Sequence, residues 1–328
     1  MFHKYPSIEN SYRQKTVNLI REMGLANKSW CVTCKVHGAN YSVYYNKAEK
    51  KLSYAKRSGF IGEGESFYSH EAMIDREESK FVALFEELDR DAVLCGELCG
   101  GYFPGVEQSN ERCIQKGVWY SPKTEFYCFD IFTDNTFMNV SEAMDLCAKH
   151  NILHAKPLMY GTLDQCLEYP NAYDDPISGW LGYPVLKDNV CEGNVIKPVD
   201  ALYFDCGSRI ILKNKNEIFQ EVKQGSKPKK DISYDLSEDA TKVYNFLSAY
   251  ITENRLRNVL SKIGDVTNKD FGKILGLFTQ DALDEGKKDG SNLNELSKTD
   301  QKLVKRHVSG LCSTMLRENI VNIIDGNF

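Results

Sequence analysis

Lys35 opens the stretch Lys35-Val36-His37-Gly38-Ala39, which places an amine, an imidazole and a glycine close together. A lysine amine freed of its proton can attack the α-phosphate of a nucleoside triphosphate and hold the nucleotide as a phosphoramidate. Lys-x-x-Gly alone is a weak pattern, because it recurs at Lys56, Lys269, Lys273 and Lys287. Lys35 is distinguished by an ordered series of groups downstream: Arg57, Glu97 in Gly96-Glu97-Leu98, Phe129 in Phe129-Asp130-Ile131, Glu192 and Lys197 in Glu192-Gly193-Asn194-Val195-Ile196-Lys197, and the alternating pair Lys213 and Lys215. Singly, each has a plain structural reading as a paired carboxylate, a core ring or a polar turn residue. Lys269, Lys273 and Lys287 have no such series after them.

The elements that must position these groups are read from hydrophobic period and turn chemistry. Residues 8–24 have the spacing of an amphipathic helix ending near Gly24. Residues 30–36 and 40–45 read as two strands with Lys35 near the turn between them, and 51–56 continues the pattern up to Arg57. Gly59, Gly62 and Gly64 match neither a dinucleotide fingerprint nor a phosphate loop. A helix over 70–90, a strand over 92–98 carrying Glu97, a polar excursion over 102–112 and a strand over 125–132 come next. Short helices over 141–150 and 163–169 and a loop region near 171–190 precede strands over 191–198 and 208–214. Lysines alternating on a strand face one side, so Lys213 and Lys215 share a face.

Beyond that point the pattern changes. Lys223, Lys227, Lys229 and Lys230 lie in a Gly/Ser/Pro-containing stretch that reads as a linker over 223–235. Val243, Phe246, Leu247, Tyr250 and Ile251 then form a helical stripe. Thr267 with Asp270 resembles a cap for a helix burying Phe271, Ile274, Leu275 and Phe278, and Val304, Val308, Leu311 and Met315 mark a last helix. The expected division is therefore 1–222, linker 223–235, and a helical region 236–328.

With 328 residues, 42% hydrophobic and 27% charged, the composition is that of a globular protein with room for two or three cores. A net charge of -5 gives no global pull on nucleic acid, so phosphate binding must come from local basic clusters. Neither a signal-peptide core nor a membrane-spanning run is evident, and the expected location is cytoplasmic. Eleven scattered cysteines fit reduced thiols. Cys31 and Cys34, three apart on a strand, face opposite sides and do not suit a shared zinc.

In order and spelling, these motifs resemble the covalent nucleotidyltransferase superfamily of ATP-dependent polynucleotide ligases and capping enzymes, and within it the phage-type RNA ligase 2 family. The opening Met1-Phe2-x-Lys4-Tyr5, the block Ile114-Gln115-Lys116-Gly117-Val118-Trp119-Tyr120, and segments from Asn254-Arg255 to Lys269-Asp270-Phe271-Gly272-Lys273 are also similar to that family. The excursion 102–112 and Gly182-Tyr183-Pro184 look more like the related RNA-editing ligases. The resemblance implies an α+β fold: an antiparallel-sheet, ATP-grasp-like nucleotidyltransferase domain followed by a small all-α C-terminal domain.

It also implies roles. Lys35 would be the nucleophile, His37 would serve the phosphoryl steps, and Lys213 and Lys215 would hold the α-phosphate. A second positive charge beside Lys35 is disfavoured by those two lysines and by a bound metal cation, which is how the amine would become nucleophilic. Glu97 would accept from a ribose hydroxyl, Phe129 would stack on adenine, Arg57 would contact the nucleotide, and Lys197 would lie in the same pocket. Glu192 would help hold magnesium, or manganese in its place. Asn40, Arg255, Lys262, Lys269 and Lys273, with Arg257, would bind RNA; the plain alternative for the helical-region residues is a solvated helix face.

Two positions depart from the phage pattern: Ala39 replaces a usual threonine, and Cys34 stands where a charged residue is common. The expected activity is ATP-dependent sealing of RNA 5′-phosphate and 3′-hydroxyl ends, in particular nicks in duplex RNA, in the host cytoplasm if phage-encoded. Rival readings are a capping guanylyltransferase or DNA ligase, both of which usually carry a β-rich domain after this core, or a non-catalytic RNA-binding protein with a ligase-like domain.

Overall fold

The computed structural model describes residues 1–223 and 236–328, and the chain forms two compact units, Met1–Ile218 and Phe219–Phe328. The linker expected over 223–235, with Lys227, Lys229 and Lys230, lies outside the described residues apart from Lys223. Among the described residues, no helix is long and apolar enough to cross a membrane.

In the first unit the chain runs β1 (Glu9–Asn10), α1 (Gln14–Glu22), β2 (Trp30–Cys34), β3 (Ala39–Asn46), β4 (Lys51–Lys56), β5 (Gly59–Phe60), α2 (His70–Leu88), β6 (Ala92–Gly100), β7 (Thr124–Thr133) and β8 (Thr136–Phe137). It continues with α3 (Val140–Lys149), β9 (Pro157–Gly161), α4 (Leu163–Leu167), α5 (Ile177–Trp180), β10 (Gly193–Pro198) and β11 (Leu212–Lys215). Two sheets result, ordered β1-β11-β10-β2-β9 and β5-β4-β3-β6-β7-β8. Among the described residues, the pairings within the two sheets are antiparallel except that of β1 with β11, and an isolated parallel bridge joins Cys128 of β7 to His154.

Each sheet is held by a helix whose apolar face matches it. α1 buries Val17 and Ile20 in a cluster with Trp30 and Val32 of β2, Ile196 of β10 and Leu212 of β11. α2 buries Phe81, Leu84 and Phe85; Tyr45 of β3 stacks on Phe85 at 5.0 Å, and Phe126 of β7 meets Phe81 edge-on at 5.4 Å. Burying such a side chain contributes about 1.5–3 kcal/mol, so α2 anchors the sheet that carries Glu97. Asp89, in the left-handed region at φ 50°, ends α2 by returning its N–H to the Phe85 carbonyl.

Several of the departures from the sequence reading have tertiary reasons. The helix expected from residue 8 begins only at Gln14, because Glu9 and Asn10 form β1, with Glu9 and Ser11 donating their N–H groups to the carbonyls of Ile211 and Lys213 at the sheet edge. The last strand begins at Leu212, not 208: Arg209 bridges to Tyr203, and Ile210 donates to the Leu202 carbonyl, in a hairpin leading into it. β9 has no alternating pattern in its sequence and exists because Trp30, Cys31, Val32 and Thr33 pair with it.

The second unit is helical: α6 (Glu238–Ser248), α7 (Glu253–Ser261), α8 (Phe271–Lys288) and α9 (Lys298–Ile324). Ser237, Thr252 and Ser297 cap α6, α7 and α9 by accepting from N–H groups of the first turn. Thr267 and Asp270 form a reciprocal capping box ahead of α8. Leu247, Leu256, Ile274, Phe278, Val304 and Val308 meet in one core.

Candidate active site

Glu192 is the hub. Its Oε2 lies 2.7 Å from Lys35 Nζ and 3.4 Å from His37 Nδ1, and its Oε1 lies 2.9 Å from Lys215 Nζ. Three elements distant in sequence thereby converge: the end of β2, the entry to β10 and the end of β11. The backbone sets this up, since Lys35 donates its N–H to the Gly193 carbonyl (2.9 Å) and Asn216 donates to the Glu192 carbonyl (2.9 Å). Gly193 has φ 136°, and a Cβ there would lie 2.2 Å from the Asn214 carbonyl oxygen, so only glycine lets β10 and β11 approach. Lys213 shares the strand face of Lys215, opposite Leu212, which is buried under α1.

Gly38 makes a second close approach. A Cβ on it would stand 2.0 Å from the Leu98 carbonyl oxygen and 2.8 Å from Glu97 Cγ, so this glycine lets the Lys35 loop lie against β6. Glu97 is thereby drawn beside the lysine loop. Its β3 partner is Asn40, whose side-chain amide donates to the Gly96 carbonyl at 3.3 Å.

The two carboxylates are driven apart electrostatically. For Glu192, burial opposes ionisation, but Lys215 and Lys35 overcome it and hold the carboxyl well below the usual range. For Glu97, burial wins, helped by the charge of Glu192 against the counter-pull of Lys35, and its pKa rises to about 7. The pocket thus holds one fixed carboxylate and one carboxyl that titrates near neutrality. Arg57, whose pKa burial lowers while Glu97 raises it, donates to the Tyr5 carbonyl at 2.5 Å.

A second cluster lies beneath. Asp130, adjacent to Phe129 on β7, accepts from Lys197 (2.8 Å), from both terminal nitrogens of Arg209 (2.8 and 3.0 Å) and from the Tyr5 hydroxyl (2.5 Å). Burial disfavours its charge, yet Arg209 and Lys197 hold it far below the ordinary carboxylate range. Lys197, expected in the nucleotide pocket, gives its ammonium to this cluster. Its side chain is buried, with the ammonium given to Asp130 and, at 2.6 Å, to the Phe129 carbonyl. Phe129 itself is partly exposed, with its ring edge-on to Tyr5 at 4.9 Å. Asp130 and Arg209 had no assigned role in the sequence; the signal was Asp130 within Phe129-Asp130-Ile131.

In the helical unit, Arg255 is also corrected. It is 1% exposed and spends its guanidinium on Asp281 (2.6 Å), the Tyr250 carbonyl (2.8 Å) and the Glu221 carbonyl (3.2 Å), which makes it a core strut and leaves no donor face for RNA. Lys262 pairs with Asp281 at 2.9 Å, and Arg257 with Glu253 at 3.5 Å, each part-exposed. Lys269 and Lys273 are exposed at the start of α8. All eleven cysteines are free; Cys34 is buried and receives the Tyr173 hydroxyl at 3.5 Å.

The chain is similar to known RNA ligases in both of its parts. The RNA ligase family matches residues 28–215, and the T4 RNA ligase 2 C-terminal family matches residues 234–314. RNA-editing ligase 2, mitochondrial, of Trypanosoma brucei brucei is 27% identical over 325 residues, covering 80% of this chain and 77% of that protein. RNA-editing ligase 1, mitochondrial, of the same organism is 27% identical over 317 residues, covering 76% and 67%. Among solved structures, a Naegleria gruberi RNA ligase mutant with ATP and Mn aligns with TM-score 0.46 and 18% identity, covering 66% of this chain; the chain spans 57% of the length of that one. The first family match alone takes in more than half of the residues, and this chain belongs to the RNA ligase family, in its phage-type RNA ligase 2 branch.

Proposed function

We propose that this protein is an ATP-dependent RNA ligase that works through a lysyl-AMP intermediate on Lys35 and joins a 5′-phosphate to a 3′-hydroxyl. The observation that carries the reading is the convergence of Lys35, His37 and Lys215 on Glu192, beside Glu97. In the ion pair with Glu192 the Lys35 ammonium has no free lone pair. A triphosphate entering between Lys35 and Lys215 competes with Glu192 for both cations and opens the pair. Lys35 then gives up one proton to solvent, which the neighbouring Lys213 and Lys215 charges favour, and its nitrogen bonds to the α-phosphorus as a second proton leaves to solvent, while the bond to the β-phosphate oxygen breaks and pyrophosphate departs.

Lys213 and Lys215 neutralise the charge that develops on the α-phosphate oxygens. An oxygen of the RNA 5′-phosphate next bonds to the AMP phosphorus while the P–N bond breaks and the Lys35 nitrogen takes up a proton from solvent. Finally the 3′-hydroxyl loses its proton to solvent as its oxygen bonds to the 5′-phosphorus, the P–O bond to the adenylate breaks, and AMP departs. Arg57, Asn40, Glu97 and Phe129 would contact the nucleotide or the RNA end from the sheet that flanks the loop.

The donor set fits a divalent cation held by one carboxylate together with phosphate oxygens. Glu192 turns both oxygens toward the cationic cluster, and the described residues contain no group of three or more ligands able to cage a metal alone. Magnesium or manganese there would supply charge neutralisation at the phosphates. Nicked duplex RNA is the proposed substrate, with Lys269 and Lys273 as backbone contacts that position without reading sequence. Labelling with α-labelled ATP and GTP separately tests the nucleotide assignment. An ATP adduct is expected, and a GTP-only adduct would move the protein to the capping guanylyltransferases. Sealing assays on nicked RNA duplex, nicked DNA and single-stranded RNA then test the substrate.

A further inference from the structure

The loop that carries Lys35 and His37 lies between β2 and β3; its first residue, Lys35, is tied to the Gly193 carbonyl of β10, and His37 lies beyond that strand contact. Its central amide is held by a side chain: His37 donates its N–H to the Tyr120 hydroxyl at 2.8 Å, across 83 positions of sequence. Tyr120 is 1% exposed. Its own backbone is fixed from the other half of the site. The side-chain amide of Asn189 accepts from the Trp119 N–H (2.8 Å) and donates to the Trp119 carbonyl (2.9 Å), gripping one residue on both edges as a neighbouring strand would. Asn189 is buried and stands three residues before Glu192. The segment that delivers Glu192 therefore holds Tyr120, and Tyr120 holds the loop that delivers Lys35.

We propose that Tyr120 is a positioning residue for the nucleophile, a strut that sets Lys35 and His37 against Glu192 through the His37 amide. The inference rests on the reading of Lys35 as the adenylylated residue. Tyr120 touches no reacting atom; its hydroxyl accepts the amide proton and keeps its own, since burial pushes its pKa well above the ordinary phenol. Without the hydroxyl, the His37 N–H in this buried setting loses its partner and the loop relaxes toward other donors and acceptors.

The test compares full-length wild type with Tyr120→Phe and with Tyr41→Phe. The second variant removes another buried hydroxyl, bonded to His70 Nδ1 at 3.1 Å, from a residue that neighbours Asn40 on β3 and so faces the opposite side of the sheet. Three quantities are measured: the single-turnover rate of lysyl-AMP formation with ATP and magnesium, the ATP concentration giving half that rate, and deuterium uptake over residues 35–39. Tyr120→Phe is expected to slow adduct formation roughly tenfold to a hundredfold at nearly unchanged half-saturating ATP, and to exchange faster at 35–39. Tyr41→Phe is expected to lower the melting temperature without either effect. A wild-type rate and wild-type exchange in Tyr120→Phe overturn the proposal, as does equal slowing in both variants. If wild type itself forms no adduct, the ligase reading fails separately, and unchanged protection at 35–39 in Tyr120→Phe still refutes the strut.

Discussion

Gly38→Ala is the most demanding substitution for this site. A methyl group there would sit 2.0 Å from the Leu98 carbonyl oxygen, 3.0 Å from the Leu98 carbonyl carbon and 2.8 Å from Glu97 Cγ. Ordinary contact begins near 3.4 Å, so the shortfall at the oxygen exceeds an ångström and falls on backbone that cannot swing away. Leu98 and Glu97 belong to β6, paired on both sides with β3 and β7, and the sheet resists bending. The loop must lift instead, carrying Lys35 away from Glu192. Overpacking of this kind costs about 1–3 kcal/mol, which at about 2–4 °C per kcal/mol for a unit of this size gives a modest fall in melting temperature. A displacement of about 1 Å costs activity far more, on the order of a hundredfold. Timed intact-mass measurement of adduct formation, alongside a thermal melt, separates the two effects. An adduct rate within twofold of wild type would show that the loop does not press on β6 as described.

Other consequences arise from the same geometry. Glu97 keeps its proton in the folded state up to about pH 7, while the unfolded chain loses it near the ordinary 4.5, so this contribution to stability is full below the lower value and lost as pH rises to the upper one. Glu97→Gln, which cannot ionise, is expected to gain stability over wild type across that window, by on the order of 3 kcal/mol at pH 8; parallel curves of stability against pH would contradict the assignment. Arg255→Ala leaves Asp281 without its buried guanidinium and is expected to destabilise the helical unit by about 3–5 kcal/mol, whereas Lys269→Ala and Lys273→Ala leave the melt unchanged and weaken RNA binding with a shallower salt dependence. Denaturant melts and binding titrations at several salt concentrations distinguish these. Gly276 lies within α8 with nothing within 4 Å of a built Cβ, so Gly276→Ala is expected to raise stability by about 0.5–1 kcal/mol, and a loss would mean that this helix face is covered.

The sequence order from Lys35 to Lys215 made the candidate site legible because Lys35, Glu192 and Lys215 sit at the ends of strands β2, β10 and β11, whose turns and alternation show in the sequence. Helix α2 and helices α6, α8 and α9 were equally legible, their apolar stripes being long enough to show a period, whereas the short α7 was not read from its pattern. What stayed hidden depends on partners far away in sequence. Residues 8–11 carry a helical period yet go to the sheet edge, where β11 offers free carbonyls. Lys197 reads like a pocket lysine until Asp130 and the Phe129 carbonyl are seen to take its ammonium, and Arg255 reads like a surface cation until Asp281 and the Tyr250 carbonyl consume its donors. A charged side chain's spacing says which face it shares, but only the fold says whether that face meets water. Tyr120 and Asn189 escaped for the same reason: each acts through a hydrogen bond to the backbone of a remote residue, which leaves no trace in local pattern.

The central claim is that the Lys35 amine becomes bonded to AMP. Intact-mass spectrometry of the full chain after incubation with ATP and magnesium measures this directly. A mass increase of one AMP is expected in wild type, lost in Lys35→Ala and discharged on addition of nicked RNA carrying a 5′-phosphate. No increase in wild type, or an increase that persists in Lys35→Ala, would contradict that claim.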